Sequence, residues 1–571
     1  MREPLSNAAR LFACLPMLFV IACSSNSNDD GGTHDSGTKR NDAGDSGHWD
    51  SGVDGGDDGG AYALHLTVAS PPVRVTIDGG IEISDDDARS FLRLGFAVVD
   101  VELDGPANPE SVTLKLRGTD DAGTAQTLSV VACPPGSTLA RYCATANLDL
   151  SGPAFDTLRG EMNVDAEADL GDAGSVKSTV KVPVTRVHWV HAFGGDGLTV
   201  QTPALRASDG MLYMNLSSFL WALHPDGTIA WTNGGYVHSS PVLGDDLLFG
   251  ALTFTLPLLG RTPSAFDPNT GVFVANCYAN RPFTLDVTPT LVHRANKDIL
   301  VGVAAYKDGG TSWSDFYAWD GASSNCTLNY HFEDVPSAFA NLATSGTTAA
   351  YVASDGSLLM MDVAGNGSSS NPTSAIKFSS PASWPIAGNG EFSVADVTGI
   401  FNISTSGAVN SSLPLSTSHQ PGALIVDAAG TSYFSDQIGH FFKVGKTQAL
   451  GVTVTTPGNV VNAGALGQGN YVYVVDKSGA LTVYDRDLNV KWTASLPSTG
   501  GFSSAPTLDC ARDANHAAIP RPGTLYLVGA DRSVYSIVVD SHGLDATASW
   551  PKFQHDERNT GNSSVPIASC P

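Results

Sequence analysis

From Thr202 onwards, short apolar runs alternate with polar turns at a regular spacing. Eight segments open in the same way, with a small residue or Pro leading into an apolar stretch. They are Thr202-Pro203-Ala204-Leu205, Ser240-Pro241-Val242-Leu243, Thr288-Pro289-Thr290-Leu291, Asn341-Leu342-Ala343, Trp384-Pro385-Ile386-Ala387, Pro421-Gly422-Ala423-Leu424, Asn462-Ala463-Gly464-Ala465-Leu466 and Ala505-Pro506-Thr507-Leu508. The first and last openings lie 303 positions apart over seven intervals, a mean period of about 43 residues. Within each period a Gly-, Asn- or Asp-rich turn comes after the opening, as at Ser208-Asp209-Gly210 and Gly467-Gln468-Gly469-Asn470. An alternating β-branched and aromatic run comes next, such as Tyr471-Val472-Tyr473-Val474. A third run, such as Ala480-Leu481-Thr482-Val483-Tyr484-Asp485, leads to a fourth that ends in Trp231 or Trp492. Each period therefore predicts four short antiparallel strands.

Four such strands bury both faces only if neighbouring sheets stack on them, and radial repetition achieves this while leaving short edges. The expectation for residues 187–571 is an eight-bladed β-propeller with a C-terminal tail. Val187-His188-Trp189-Val190-His191-Ala192-Phe193 precedes the first opening and reads as an orphan fourth strand. It is expected to close the ring by completing the last blade through Trp189, with the segment around Trp550 competing for that slot.

Residues 61–186 carry further strand patterns: Leu64-Val68, Val73-Ile77, Phe96-Val101, Val112-Leu116, Thr127-Val131 and Lys181-Val184. About 125 residues with this spacing suit an immunoglobulin-like β-sandwich. The fold class expected is all-β, a sandwich followed by a propeller.

Ala265-Phe266-Asp267-Pro268-Asn269-Thr270-Gly271 resembles the A-x-D-x-x-T-G signature of pyrroloquinoline-quinone-type propeller repeats. Trp221 to Trp231 and Tyr484 to Trp492 are looser copies, and Ser549 to Gly561 resembles the W-P-x-F-x-x-D-x-x-x-T-G segment of the same propellers. The G-H and W-D pair of the WD40 family is missing, and residues 340–455 depart from the repeat. Among enzymes of this kind, the resemblance implies a quinone at the propeller axis with calcium, an Asp base and a disulfide between adjacent cysteines. No Cys-Cys pair occurs here, so no cofactor, metal or catalytic residue is expected. The chain also looks like the propeller lipoprotein of the β-barrel assembly machinery, which lacks a long acidic tether and a preceding sandwich.

Residues 1–22 read as a signal peptide. Arg2 and Arg10 flank its start, and the apolar run from Leu11 to Ala22 is too short to span a bilayer. Val20-Ile21-Ala22-Cys23 resembles the lipobox of bacterial lipoproteins, which implies cleavage before Cys23 and its acylation. Ser24 resembles sorting to the outer membrane of a Gram-negative bacterium. Residues 23–60 then form an acidic tether, with nine Asp against Lys39 and Arg40. Asp54, Asp57 and Asp58 lack the spacing of a calcium loop.

The formal charge of −26 argues against nucleic acid and against lying flat on anionic lipid. Setting aside Cys14 in the signal and Cys23 at the anchor, six cysteines remain. Of the possible connectivities, Cys133–Cys143, Cys277–Cys326 and Cys510–Cys570 are chosen. Zinc spacings, nucleophile elbows and phosphate loops are absent from the sequence. His188 and His191 fall on opposite faces of a strand, and His555 with Asp556 is expected to cap the ring. Trp313, Trp319 and Trp384 are the candidates for a sugar-stacking surface.

The function expected is that of a non-catalytic, lipid-anchored envelope protein facing the periplasm or the cell surface. Its partner would be a protein or glycan on a propeller face, with membrane contact through the lipid alone. The alternatives are an outer-membrane assembly factor, and a quinoprotein or carbohydrate-active enzyme.

Overall fold

The computed structural model describes residues 62–69, 90–93, 95–105, 113–118, 126–133, 142–150, 157–171 and 174–193 of the N-terminal part. From 201 to 571 it describes all but 217–218, 235, 238, 254–260, 278–287, 295–296, 309–310, 323–326, 333–340, 354, 364–372, 380–381, 384, 389, 416–420, 437, 447–450, 457 and 461–462. The predicted signal peptide, Cys23, the predicted tether and the predicted strand Val73-Ile77 lie outside the described residues.

Among the described residues, every regular element of the fold is a β-strand. The described strands between residues 63 and 185 form two sheets around one core. The first sheet joins Ala63–Val68, Phe96–Asp104, Tyr142–Asp149 and Val131–Ala132. The second joins Phe91–Leu92, Ser175–Thr185, Arg159–Asp169, Thr113–Gly118 and Gln126–Leu128. Period-two alternation drives the pairing: Ala97, Val99, Val101 and Leu103 point inward, and they meet Met162, Val164, Ala166 and Ala168 from the other sheet. The Cys133–Cys143 disulfide, with Cα atoms 5.0 Å apart, closes the hairpin in which Val131 pairs with Cys143.

Arg186 ties this part to the repeats on its C-terminal side. Its side chain is 1% exposed, lies over the Trp492 ring at 4.3 Å and donates to Asp540 Oδ1 and Oδ2 at 3.2 and 3.0 Å. Its Nη1 also donates to the Val538 carbonyl at 3.2 Å. A planar, always-charged guanidinium suits this stacked, bidentate place.

Beyond Thr185 the described strands form eight sheets of four or five strands each. Their first strands are Ala204–Arg206, Val242–Leu243, Thr290–Arg294, Ala343–Ser345, Ile386–Gly388, Pro421–Val426, Ala465–Gly467 and Thr507–Arg512. In each case the strand falls within or just after one of the eight openings read from the sequence. The seventh sheet runs Ala465–Gly467, Tyr471–Val475, Ala480–Asp485, Val490–Ser495 in simple antiparallel order, and the first, fifth and sixth share the same plan. Apolar clusters sit between consecutive sheets: Tyr213 and Leu220 of the first pack with Leu248 and Phe266 of the second. The chain is a β-propeller repeat protein.

The eighth sheet is completed from far away in sequence. Val187–Ala192 pairs antiparallel with Ser533–Val538, setting Trp189 opposite Ser536. Trp189 is buried, and its Nε1 donates to the Pro225 carbonyl of the first sheet at 2.8 Å. Trp550, the competitor for this slot in the sequence reading, does not occupy it. Its amide and carbonyl are committed to Val426 of the sixth sheet, at 2.9 and 2.8 Å, and the edge beside Ser533–Val538 is already paired.

Candidate functional site

The segment from Trp550 to Ser563 is where the first strands of the sheets converge. Leu205 N donates to Glu557 O, Leu243 N to Arg558 O, Leu291 N to Thr560 O and Thr344 N to Gly561 O, at 2.7–2.9 Å. Val426 N and Leu466 N donate to the carbonyls of Trp550 and Pro551 at 2.8 and 2.7 Å. Six inner strands that would otherwise expose an amide to the axis thus find an acceptor on one segment. This is the structural meaning of the W-P-x-F-x-x-D-x-x-x-T-G pattern.

The pattern's polar residues hold the segment in shape. Lys552 is fully buried, and its Nζ donates to Phe553 O and Asp556 O at 3.0 Å and to Asn559 Oδ1 at 2.5 Å. Asn559 Nδ2 donates to Thr202 O and Pro241 O, just before the first and second inner strands, and Asn562 Nδ2 to Leu291 O within the third. The Asp556 carboxylate accepts from Thr560 N at 3.0 Å and from the Thr560 hydroxyl. His555 lies beside it, with Nδ1 3.6 Å from Oδ2. Gln554, His555 and Asn559 take left-handed backbone angles of 55°, 71° and 58° in these tight turns. Gly561, at 62°, packs closely: a Cβ there would lie 2.0 Å from Gln554 Oε1 and 2.8 Å from Thr290 Oγ1, so a larger residue requires those side chains to shift.

Burial sets the charges. It pulls the Lys552 ammonium down to about 8, against the attraction of Asp556 and Glu557. Burial and the neighbouring Asp556 charge push the Glu557 carboxyl up to about 7. Burial also opposes ionisation of Asp556, but the charges of His555 and Arg558 and the hydrogen bonds from Thr560 outweigh it and leave the carboxyl low.

An axial quinone does not fit this arrangement, because the segment's own backbone and the buried Lys552, Asn559 and Asn562 fill the convergence of the inner strands. At one mouth, Arg206, Asp245, Asp246, Asn269, Glu557 and Arg558 line a depression of about 410 Å³. Its guanidiniums are already partnered, Arg206 by Asp209 at 2.6–2.9 Å and Arg558 by Asp245 at 2.9 Å. His293 joins the same network, 2.8 Å from Asp298 and 3.6 Å from Asp245. Sequence reasoning missed this group, since Asp245 and His293 come from different repeats.

The seams between sheets hold a second feature. Along the first, seventh and eighth sheets, one row of cross-strand neighbours repeats a Tyr and a Trp. The rows are Ala204, Tyr213, Ala222, Trp231; then Ala465, Tyr473, Val483, Trp492; then Thr507, Tyr526, Ser536, Trp189. The tyrosine projects to the next sheet. Tyr213 Oη donates to Pro268 O at 3.0 Å, and Tyr473 Oη lies 3.0 Å from Ser541 Oγ. The sixth sheet keeps the tyrosine: Tyr433, opposite Ile425, donates to Arg486 O at 3.1 Å. Burial pushes these phenols up, so they remain protonated donors.

In the fifth sheet the same row reads Ile386, Ser393, Asn402, Ser411. Ser393 Oγ donates to Asn402 Oδ1 at 2.6 Å, and Asn402 Nδ2 to Ser411 Oγ at 3.0 Å. Between this ladder and the sixth sheet lies a cleft of about 250 Å³, with Trp550 and Ser549 of the tail among its lining residues.

The remaining sequence candidates are scattered through the fold. Cys510 and Cys570 are disulfide-bonded with Cα atoms 5.4 Å apart, pinning the tail to the eighth sheet. Cys277 is buried and disulfide-bonded; Cys326 lies outside the described residues. His191 is buried and stacked on Phe193 at 4.0 Å, and burial lowers its pKa, while His188 is half-buried on the opposite face. Trp319 is 2% exposed and packs edge-on against Phe249, so it offers no stacking surface. The side chains of Trp313 and Trp384 lie outside the described residues.

Among known families, the model of the LVIVD repeat matches residues 342–380 and 468–485. The first of these stretches lies in the region that departs from the quinone-type signature. No curated protein matches the chain. Among solved structures, the computationally designed Ika8 protein is 11% identical, with TM-score 0.46, over 61% of this chain and 98% of that one. BamB from Moraxella catarrhalis is 15% identical, with TM-score 0.41, over 62% and 98%. Sqt1 of Saccharomyces cerevisiae is 8% identical, with TM-score 0.45, over 61% and 98%.

Proposed function

We propose that this chain is a non-catalytic, lipid-anchored protein of a Gram-negative cell envelope that uses a rigid propeller as a binding platform. Acylation of Cys23 would hold it at the outer membrane, and the acidic stretch to residue 60 would act as a spacer. An immunoglobulin-like sandwich then leads to an eight-bladed propeller of the quinone type. The observation that carries this reading is the tail at the axis. A ring filled by its own chain leaves faces and seams for recognition, and a rigid scaffold with variable loops suits that task.

The test is expression of the full chain in a Gram-negative host with an alkyne-tagged fatty acid. The wild type should take up the tag, and Cys23→Ala should not. Equal labelling of the two would sink the anchor. Proteolysis of intact against lysed cells then assigns the surface or the periplasm. Turnover of alcohols or sugars after reconstitution with pyrroloquinoline quinone and calcium would overturn the non-catalytic reading.

A further inference from the structure

We infer that the seam between the fifth and sixth sheets is a binding pocket for one neutral sugar ring. The pocket occupies the place that the first, seventh and eighth sheets fill with a tyrosine and a tryptophan. Position by position, Ser393 stands where Tyr213, Tyr433, Tyr473 and Tyr526 stand, and Ser411 where Trp231, Trp492 and Trp189 stand. Phe249, Val301 and Ala350 hold the position in the second, third and fourth sheets. The fifth sheet alone among the described ones places an aliphatic hydroxyl there.

The opposite wall matches. Tyr213 and Tyr433 donate to the carbonyls of Pro268 and Arg486, each three residues past the third-strand member of the same row in the next sheet, Ala265 or Val483. In the sixth sheet that member is Lys443, opposite Tyr433, and three residues on is Lys446, which lines the cleft with Gly445. The acceptor position is present, and the side chain that would fill the gap is not.

The chemistry of the walls selects the occupant. Ser393, Asn402 and Ser411 bond to one another in a ladder, yet each keeps further capacity: a hydroxyl has two lone pairs, and an amide NH₂ has two hydrogens. Ile386, Ile400, Leu413, Val426 and Trp550 supply the apolar share of the lining, and Glu391 and Lys446 bring one charge of each sign. An aromatic knob from a partner peptide would bury this ladder without replacing its water hydrogen bonds. A sugar ring presents hydroxyls on its rim to the ladder and a C–H face to the apolar side. The volume of about 250 Å³ suits a single ring, below the roughly 300–1,000 Å³ of drug-sized pockets. This names a ligand class for one seam of the proposed platform and rests on that reading. Because it is tested by binding to purified protein, it can fail while the anchor and platform stand.

The test titrates the detergent-solubilised full chain with glucose, galactose, mannose and N-acetylglucosamine, alone and as short oligomers, followed by saturation-transfer NMR and calorimetry. At least one should bind with a dissociation constant of about 1 mM or tighter. Ser393→Tyr, which rebuilds the pattern of the other seams, should weaken that binding at least tenfold without lowering the melting temperature. If Ser393→Tyr does not fold, Ser411→Ala, a small change at an exposed site, should still weaken binding several-fold. No saccharide binding, binding unchanged in these variants, or binding of N-acetyl-tyrosinamide in place of sugars would each overturn the inference.

Discussion

The seventh and fifth sheets share a plan and differ in what they show their neighbours. Both have four antiparallel strands in simple order, with a bulge where the third meets the fourth. Both close the last hairpin by a side chain accepting amides: Asp485 Oδ1 takes Asp487 N and Asn489 N, and Ser404 Oγ takes Ala408 N. The seventh then seals its seam with Tyr473 and Trp492, whereas the fifth lines its seam with Ser393, Asn402 and Ser411. Strand order here is fixed by turns, alternation and a common tail, so the side chains of one seam can change without changing the ring. The freedom to vary sits in the seams because the axis is already occupied.

The severest way to break this comparison is to remove what the two sheets share. Deleting residues 549–571 strips six inner-strand amides of their acceptors and removes buried Trp550 and Phe553. Each buried amide left unpaired costs about 1–3 kcal/mol, so loss of a cooperative thermal transition by circular dichroism is expected. A truncated chain that melts like the full one would mean that the tail decorates the ring and does not hold it. Within the tail, Lys552→Met should cost roughly 3 kcal/mol or more, since it leaves three buried acceptors unsatisfied.

Swapping the seam residues comes next in size. Tyr473→Ser deletes a fully buried ring and its bond to Ser541, and should cost about 3–5 kcal/mol. The converse change, Ser393→Tyr, enters an existing cleft and should be neutral or stabilising. Denaturant unfolding of the two variants side by side checks the opposite signs. Equal destabilisation would show that the fifth seam is as tightly packed as the seventh. Cys570→Ser should cost about 2–4 kcal/mol, because the bridge to Cys510 closes a 60-residue loop in the sealed part of the ring. The open seam is lined elsewhere, and its ligand binding should not track that loss.

Much of this difference is open to reading in the chain, and some is not. The eight openings are legible because an inner strand needs small and apolar residues whatever else its sheet does, so Thr202-Pro203-Ala204-Leu205 and Ala505-Pro506-Thr507-Leu508 look alike. Trp189 is readable as part of a strand lacking a sheet, by its distance from the first opening. Trp550 misleads because tryptophan marks two different places, the outer strand of a sheet and the tail. Only the partner strand, not the residue type, tells them apart. The sixth opening slips in phase: a bulge between Pro421 and Leu424 makes Ile425, not Ala423, the partner of the tyrosine. The polar seam is invisible in the sequence because Ser393, Asn402 and Ser411 look like solvent-facing strand residues until the register aligns them with Tyr473, Val483 and Trp492.

The smallest effect separates the two regions by pH. Glu557, beside the first sheet through its carbonyl, has its carboxyl raised from 4.5 to about 7 by burial and by Asp556. Between those values the folded chain holds a proton that the unfolded chain has released. Its contribution to stability is therefore fully present below about pH 4.5 and is lost as pH rises through about 7. Lys552 acts in a different window: its folded value of about 8 lies below 10.5, so its contribution grows only as pH climbs above 8. From pH 5 to 7.5 the melting temperature should fall by roughly a few degrees in the wild type. In Glu557→Gln the slope should flatten, because the amide stays neutral throughout. Ser393, Asn402 and Ser411, which carry the proposed sugar contacts, do not titrate in this range, so sugar affinity at the open seam should stay level while the tail loosens; Glu391 and Lys446 are the charged groups of that lining. A slope that persists in Glu557→Gln would place the proton on another group of the tail, and an affinity that falls with it would show that seam and axis are coupled through Trp550.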